Sequence, residues 1–371
     1  MHIMHVIDSL AIGGAERMLV DIANSTAASG HRASACITRS GRALAQSLRP
    51  EVGCWELGRG ARLDLRAMRR FANLVSDQAV EVLHAHGRST LSFLAVLRTL
   101  GYIRLPIVLH DHAGLERDGS VPAWLRAWGN RHIAQYVGVY EKQSSWALRA
   151  GIPQGRIHVI GNAIDLERVR RVVPVDIRRQ FQIDDGSLIG LVVGGIRPEK
   201  GIDILLEALA RCQCTERLRV LIVGGVRDPI YAAACQAQCT KLGLEGTVRF
   251  VGERPDVPEL LHAADFALIP SRCESGPLVL IECLAAGLPF VATAVGGVTE
   301  QVSQEGLPEI VPPGDVGALA EGIERLAALS TEERQARASL GRRIAAERFD
   351  IRQTVHRWHD VYRQALEEAP L

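Results

Sequence analysis

The chain has 371 residues, about twice the commonest domain size, so two domains of roughly 150 to 200 residues are expected. Hydrophobic residues make up 47% and charged residues 23%, with 35 glycines and 16 prolines, which excludes a disordered, collagenous or coiled-coil protein. A formal net charge of +1 removes the broad positive field of non-specific nucleic-acid binders, so no nucleic-acid partner is expected. The charge is uneven, +6 over residues 1–165 and −5 over the rest.

The opening apolar residues are interrupted by His2, His5 and Asp8, with no positive side chain before Arg17, which predicts no signal peptide. The longest uncharged stretch, Cys283 to Val298, falls short of the roughly 20 residues of a membrane span. A cytoplasmic protein is expected, with its eight cysteines reduced. Cys212, Cys214, Cys235 and Cys239 have no CxxC spacing and read as idle thiols rather than zinc ligands.

Short apolar runs alternate with amphipathic segments from the first residues: Ile3 to Ile7, a Gly-Gly turn, then a helix from about Ala15 to Ala28. Further strands are predicted at Ala33 to Thr38, Val80 to Ala85, Pro106 to His110, Ile133 to Tyr140 and Ile157 to Ile160. An Arg- and Asp-rich connector containing Pro174 follows, and the domain boundary is placed near residue 165. A second series runs through Leu188 to Val193, Val220 to Val223, Thr247 to Val251, Phe266 to Ile269 and Phe290 to Ala294. Residues 350–371 read as a terminal amphipathic helix that packs back on the first domain, with Ile351, Val355, Trp358 and Tyr362 at helical spacing. The expected fold class is α/β: two doubly wound Rossmann-like domains, residues 1–165 and 166–349, facing a shared cleft at their strand carboxyl ends.

Residues 265–300 are the most informative. A strand, a loop and a helix opening at Pro277 and ending at Gly287 are expected there. Glu282 is the sole charge of that helix and has apolar neighbours on every side. An unpaired charge in such a place costs several kcal/mol, so Glu282 is expected to accept ligand hydroxyls or to meet an arginine from elsewhere in the fold. With no Lys or Arg nearby in sequence, ligand hydroxyls are the preferred reading. Glu274, on the preceding loop, would lie beside the free N–H groups of the helix start, a natural place for a phosphate.

Taken together, Pro270-Ser271-x-x-Glu274 through Glu282, Gly287-x-Pro289 and Gly296-Gly297-x-x-Glu300 resemble the retaining glycosyltransferases of family 4, which have the GT-B fold. Gly13-Gly14-Ala15-Glu16-Arg17, Asn162-Ala163-Ile164-Asp165, Arg197-Pro198-Glu199-Lys200-Gly201 and Val311-Pro312-Pro313-Gly314-Asp315 extend the likeness over nearly the whole chain. The resemblance implies a retaining transferase that moves a sugar from a nucleotide-diphosphate donor to a hydroxyl acceptor. It also implies a role in polysaccharide or glycolipid synthesis, a donor-binding second domain, an acceptor-side first domain, and neither cofactor nor metal. It assigns Glu282 to the donor ribose, Glu274 to the transferred sugar, Arg197 and Lys200 to the diphosphate, and Gly13 and Gly14 to the first loop's approach to the donor. Ser275, Gly276, Pro277 and Leu278 join the donor-binding set, although many family members have Gly-Phe-Gly where this chain has Ser275-Gly276-Pro277. His110 is implied to lie beside the reacting sugar, with His112 as its rival.

Arg197 and Lys200 also stand on their own, since they follow a strand and Gly194-Gly195 in a strand-end loop. The segment fails the P-loop pattern, because Glu199 and Gly201 occupy its glycine and hydroxyl positions, and Gly13-Gly14 is no GxGxxG. The bland account of that pair is a tight turn requiring positive φ. His84, His86 and His110-Asp111-His112 invite a metal reading, which is set aside because neighbouring strand side chains point to opposite faces. Residues 62–71 place Arg62, Arg66, Arg69 and Arg70 beside Leu65, Met68 and Phe71. That pattern fits a solvated face over a packed one, or a contact with anionic lipid at the inner face of a membrane and a lipid-linked acceptor. Trp124 and Trp128 either rim an acceptor groove or pack. Rival readings of the whole chain are a glycosidase with two catalytic carboxylates, a nucleotide-sugar 2-epimerase, and a non-catalytic donor-binding partner of another transferase.

Overall fold

The computed structural model describes residues 1–61, 63–112, 120–302 and 309–368, so Arg62 of the basic segment and residues 369–371 of the terminal stretch lie outside the described residues. The chain divides into two compact units, Met1–Ile164 with Ile351–Leu371, and Asp165–Asp350.

The first unit runs β1 (His2–Ile7), α1 (Gly14–Ala28), β2 (Arg32–Ile37), β3 (Gly53–Glu56), α2 (Leu65–Asp77), β4 (Val82–His86) and α3 (Arg88–Thr99). It continues with β5 (Ile107–Asp111), α4 (Ala123–Ala127), β6 (Ile133–Gly138), α5 (Lys142–Arg149) and β7 (Ile157–Val159). Its seven strands are parallel, in the order β3-β2-β1-β4-β5-β6-β7, so the winding reverses between β1 and β4. Met4, Val6, Leu83, Ala85, Ile107 and Leu109 fall at alternate positions in register, so they line one face of the sheet and bury it in a single core. Asp64 caps α2 by accepting the Ala67 N–H, and Met68 and Phe71 of that helix enter the core, Phe71 edge-on to Phe93.

The second unit runs α6 (Leu166–Arg170), α7 (Ile177–Phe181), β8 (Leu188–Val193), α8 (Ile202–Arg211), β9 (Leu218–Val223), α9 (Pro229–Lys241), β10 (Val248–Gly252) and α10 (Val257–Ala263). It continues with β11 (Phe266–Ile269), α11 (Leu278–Ala286), β12 (Phe290–Thr293), α12 (Val298–Val302), β13 (Glu309–Val311), α13 (Val316–Ala327) and α14 (Thr331–Arg348). Its six parallel strands follow the order β10-β9-β8-β11-β12-β13, reversing between β8 and β11. Leu205, Leu209, Ile222, Phe266, Leu319 and Ile323 are fully buried in its core.

After the second unit the chain returns to the first as α15 (Ile351–Glu367), which lies on α1 and buries Trp358 and Tyr362. Two strands escaped the sequence reading, β3 and β13. Both are sheet edges of four and three residues, too short to show the apolar run that marks a central strand. Among the described residues no helix is long and apolar enough to cross a membrane.

Candidate functional site

In an open α/β sheet ligands gather where the winding reverses, at the strand carboxyl ends. In the second unit that place lies between β8 and β11, and it joins two loops. One carries Arg197 and Lys200 and the other carries Ser271 and Glu274. Lys200 Nζ stands 2.5 Å from Glu274 Oε1, and the Ser271 hydroxyl donates to the same oxygen at 2.7 Å. Two residues that the sequence assigned to different parts of a donor are thus an ion pair here. Arg197 is exposed, and its guanidinium makes no ion pair or hydrogen bond among the described residues.

The loops are held together by two devices. Arg272 donates to both carboxylate oxygens of Asp203, at 2.6 and 2.5 Å, and to the Pro198 carbonyl at 3.0 Å. Burial alone would raise the Asp203 carboxyl, but hydrogen bonds from Arg272 and Tyr231 more than offset it, and it lies below its usual range. Gly201, at φ +63°, lets the first loop approach the second, because a Cβ there would fall 2.1 Å from the Pro270 carbonyl oxygen.

Glu282 occupies the fifth position of α11, which is N-capped by Pro277 and ends at Gly287 with φ +76°. Its partner is an arginine, and the preferred reading of an acid paired only with ligand hydroxyls is corrected: Arg168 Nη2 of α6 lies 2.8 Å from Glu282 Oε1. The pair was illegible because the two residues are 114 positions apart and meet only where α6 packs on α11. Exposures of 20% for Arg168 and 12% for Glu282 leave the carboxylate within reach of a ligand. Ser275, Gly276, Pro277 and Leu278 form the turn into α11, and the Ser275 carbonyl accepts the Gly297 N–H at 2.8 Å. Pro277 supplies no donor to this turn.

In the first unit Gly13 N-caps α1 in extended backbone at φ −173°, and Gly14 is the first helical residue. Neither has positive φ, so the tight-turn account of this pair does not hold. The helix start has no side-chain cap, which leaves its first N–H groups to other acceptors.

His84 and His86 alternate on β4, and His110 and His112 at the end of β5, so each pair shares a face while Asp111 turns away to Arg88, 2.9 Å distant. His5, which the sequence reading passed over, sits opposite His84 on β1. The result is a row of five imidazoles: His5 Nδ1 lies 3.1 Å from His86 Nε2, and His86 Nδ1 lies 3.0 Å from His112 Nε2. His84 Nδ1 meets the Tyr362 hydroxyl at 2.8 Å. Burial pushes His5 and His112 down to about 3, and burial with neighbouring histidines holds His84, His86 and His110 well below the usual value, so the row is uncharged. His110 itself is fully buried, enclosed by His84, His86, His112 and Trp358. A contact with sugar needs an accessible ring, and His112 is the member of the row that keeps partial exposure.

The remaining candidates resolve into packing. Met68 and Phe71 belong to the core, which removes them from any lipid-facing stripe, while Leu65, Arg66, Arg69 and Arg70 face outward. Trp124 packs against the same core, and Trp128 stands edge-on to His132. Cys212, Cys235 and Cys239 are buried in the second unit's core.

Two parallel-sheet α/β units of this topology have the GT-B fold of known glycosyltransferase structures. The family described as Glycosyltransferase Family 4 matches residues 12–168 and that described as Glycosyl transferases group 1 matches residues 175–343, and the chain belongs to the family-4 glycosyltransferases. It is 31% identical over 222 residues to a D-inositol 3-phosphate glycosyltransferase of Saccharomonospora viridis, covering 57% of this chain and 50% of that one. The chain spans about half the length of the D-inositol 3-phosphate glycosyltransferases it matches. It is 24% identical over 318 residues to the N-acetyl-alpha-D-glucosaminyl L-malate synthase of Bacillus anthracis, covering 82% of this chain and 80% of the relative. The crystal structure of Anabaena Alr3699/HepE in complex with UDP-glucose is similar with a TM-score of 0.83 and 25% identity, over 97% of this chain and 99% of that one. Sucrose-phosphate synthase from Thermosynechococcus elongatus shares the fold, with a TM-score of 0.81 at 20% identity over 99% of both chains.

Proposed function

We propose that this chain is a retaining glycosyltransferase that moves a sugar from a nucleotide-diphosphate donor, of the uridine type bound by Alr3699/HepE, to a hydroxyl acceptor. The observation that carries the reading is the Lys200–Glu274–Ser271 cluster beside the exposed Arg197, at the winding reversal of the second unit. In the transfer the bond from the anomeric carbon to the diphosphate breaks, a bond to the acceptor oxygen forms, and the acceptor proton ends on the departing diphosphate. Negative charge grows on that diphosphate, and Arg197 and Lys200 are the cations to meet it. Lys200 then exchanges Glu274 for phosphate oxygens, which frees Glu274 and Ser271 to hold sugar hydroxyls. Glu282, steadied by Arg168, offers its carboxylate to the ribose. The enclosed His110 is given no contact with the sugar here.

Polysaccharide or glycolipid synthesis at the inner face of a membrane supplies acceptors of the required class. The test is transfer from UDP-glucose, UDP-N-acetylglucosamine and UDP-galactose to lipid-linked saccharides and, in parallel, to malate and inositol phosphate, with the anomeric configuration of the product read by NMR. An α-linked product from an α-linked donor is expected, and the rate should not rise on adding Mg2+ or Mn2+. Inverted product, or UDP-sugar binding with no transfer to any acceptor, would overturn the reading.

A further inference from the structure

The histidine row is not used by the donor chemistry, and it is costly to build. Buried polar nitrogens are nearly always hydrogen-bonded. Here His5 Nε2, His84 Nε2 and both nitrogens of His110 are buried with no hydrogen-bond partner among the described residues. Imidazoles kept neutral and pointed at one another are what a transition metal binds. Two triads bring one ring nitrogen from each member within 4.8 Å of the others: His5, His84 and His86, and His86, His110 and His112.

The two differ in what surrounds them. The first triad is wholly buried, with His84 stacked on Trp358 and tied to Tyr362, and a doubly charged ion there would be far from water. The second ends at the partly exposed His112, just past the last residue of β5, and is the less enclosed of the two. A tetrahedral metal with bonds of 2.0–2.1 Å sets its ligand nitrogens about 3.3 Å apart, close to the 3.0 Å between His86 Nδ1 and His112 Nε2. His86 has its second nitrogen held by His5 Nδ1 at 3.1 Å, an outer-sphere contact of the kind that orients metal-binding imidazoles. His110, paired with His86 in the β4–β5 register, brings the partnerless ring to the same side.

We propose that His86, His110 and His112 form a three-imidazole site for a divalent late transition metal such as Zn2+, with the fourth position left to water. The site is built wholly from residues of the first unit and stands independently of the transferase reading.

The test uses the whole chain, stripped with a chelator and titrated with Zn2+ by calorimetry and with Co2+ by visible absorption. One equivalent should bind, and Co2+ should develop the d–d bands of tetrahedral nitrogen coordination without thiolate charge-transfer bands. His112→Gln, at the exposed end of the row, should weaken binding by more than about 100-fold while far-UV circular dichroism stays that of the wild type. His110→Gln should abolish the bands, and if that variant does not fold, His112→Gln and the wild-type spectrum decide between the outcomes. His5→Gln removes only the outer contact and should cost about 10- to 100-fold. The proposal fails if the folded wild type takes up no metal, if thiolate bands appear, if His112→Gln binds as the wild type does, or if His5→Gln loses the metal while His112→Gln keeps it. Each readout is metal binding, so failure here leaves the transferase reading untouched.

Discussion

Replacing Arg168 by methionine and Glu282 by glutamine, singly and together, separates two roles that one side chain holds at once. Unit charges about 4 Å apart attract by roughly 4 kcal/mol at the effective dielectric of a protein surface, and desolvation of both ends takes back about half. Arg168→Met leaves a carboxylate in a helix that is apolar on every side, and Glu282→Gln removes the carboxylate that faces the Arg168 guanidinium. Breaking a fully buried pair costs about 3–5 kcal/mol, but exposures of 20% and 12% let water compensate, so each single variant should lose about 2–3 kcal/mol. The double variant removes both charges of the pair and should lose no more than about 3 kcal/mol, which makes the coupling about 2 kcal/mol. The assay is urea unfolding followed by far-UV circular dichroism, because all five tryptophans belong to the first unit and fluorescence would miss the second. Calorimetry with a UDP-sugar then reads the other role: Glu282→Gln should weaken binding by about 1–3 kcal/mol, the scale of an unmet ligand hydroxyl, whereas Arg168→Met, which keeps the carboxylate, should weaken it less. Additive single variants, or equal loss of donor affinity in both, would refute the reasoning.

Gly201→Ala should destabilise the second unit by about 2–4 kcal/mol and weaken donor binding, since positive φ alone costs an alanine roughly 1–2 kcal/mol and its Cβ would overlap the Pro270 carbonyl. Thermal melting with and without a UDP-sugar checks both effects. Lys200→Ala should lower kcat about 100- to 1,000-fold, the scale of one lost charge-stabilising donor, and an unchanged kcat with raised KM would demote it to a ground-state contact. His359 is held at about 4, below the ordinary 6.5, chiefly by burial and then by His31 and Arg363, with Asp360 opposing and His356 adding to the lowering. Its contribution is complete above 6.5 and is lost as pH falls toward 4, the loss reaching about 1 kcal/mol at about pH 5 after discounting for solvent screening. His359→Gln should flatten the acid limb of stability by that amount in urea titrations.

What the sequence disclosed follows from how far apart the interacting residues lie. Central strands such as Leu188–Val193 and Phe266–Ile269 announce themselves because burial on both faces demands unbroken apolarity. The loop carrying Glu274 and the helix carrying Glu282 were legible for the same local reasons, a proline entry and a glycine exit. Arg168 was not, because no rule of spacing links α6 to α11 across 114 residues. His5 was recoverable in principle: aligning β1, β4 and β5 as parallel neighbours puts a histidine near the carboxyl end of each, and alternation then sends His110 and His112 to one face and Asp111 to the other. For α2 the reading of a solvated face over a packed one was legible, because its apolar stripe is the ordinary inner face of a packed helix.

The return of α15 to the first unit sets the order in which a nascent chain can mature. Asp165–Asp350 is continuous and is complete when its last residue leaves the ribosome, whereas the earlier-made unit waits for Trp358 and Tyr362 to seal the face that carries His84 and His110. The half translated first therefore finishes second. A premature stop near residue 350 would be expected to yield a sound insert flanked by an open, chaperone-dependent sheet.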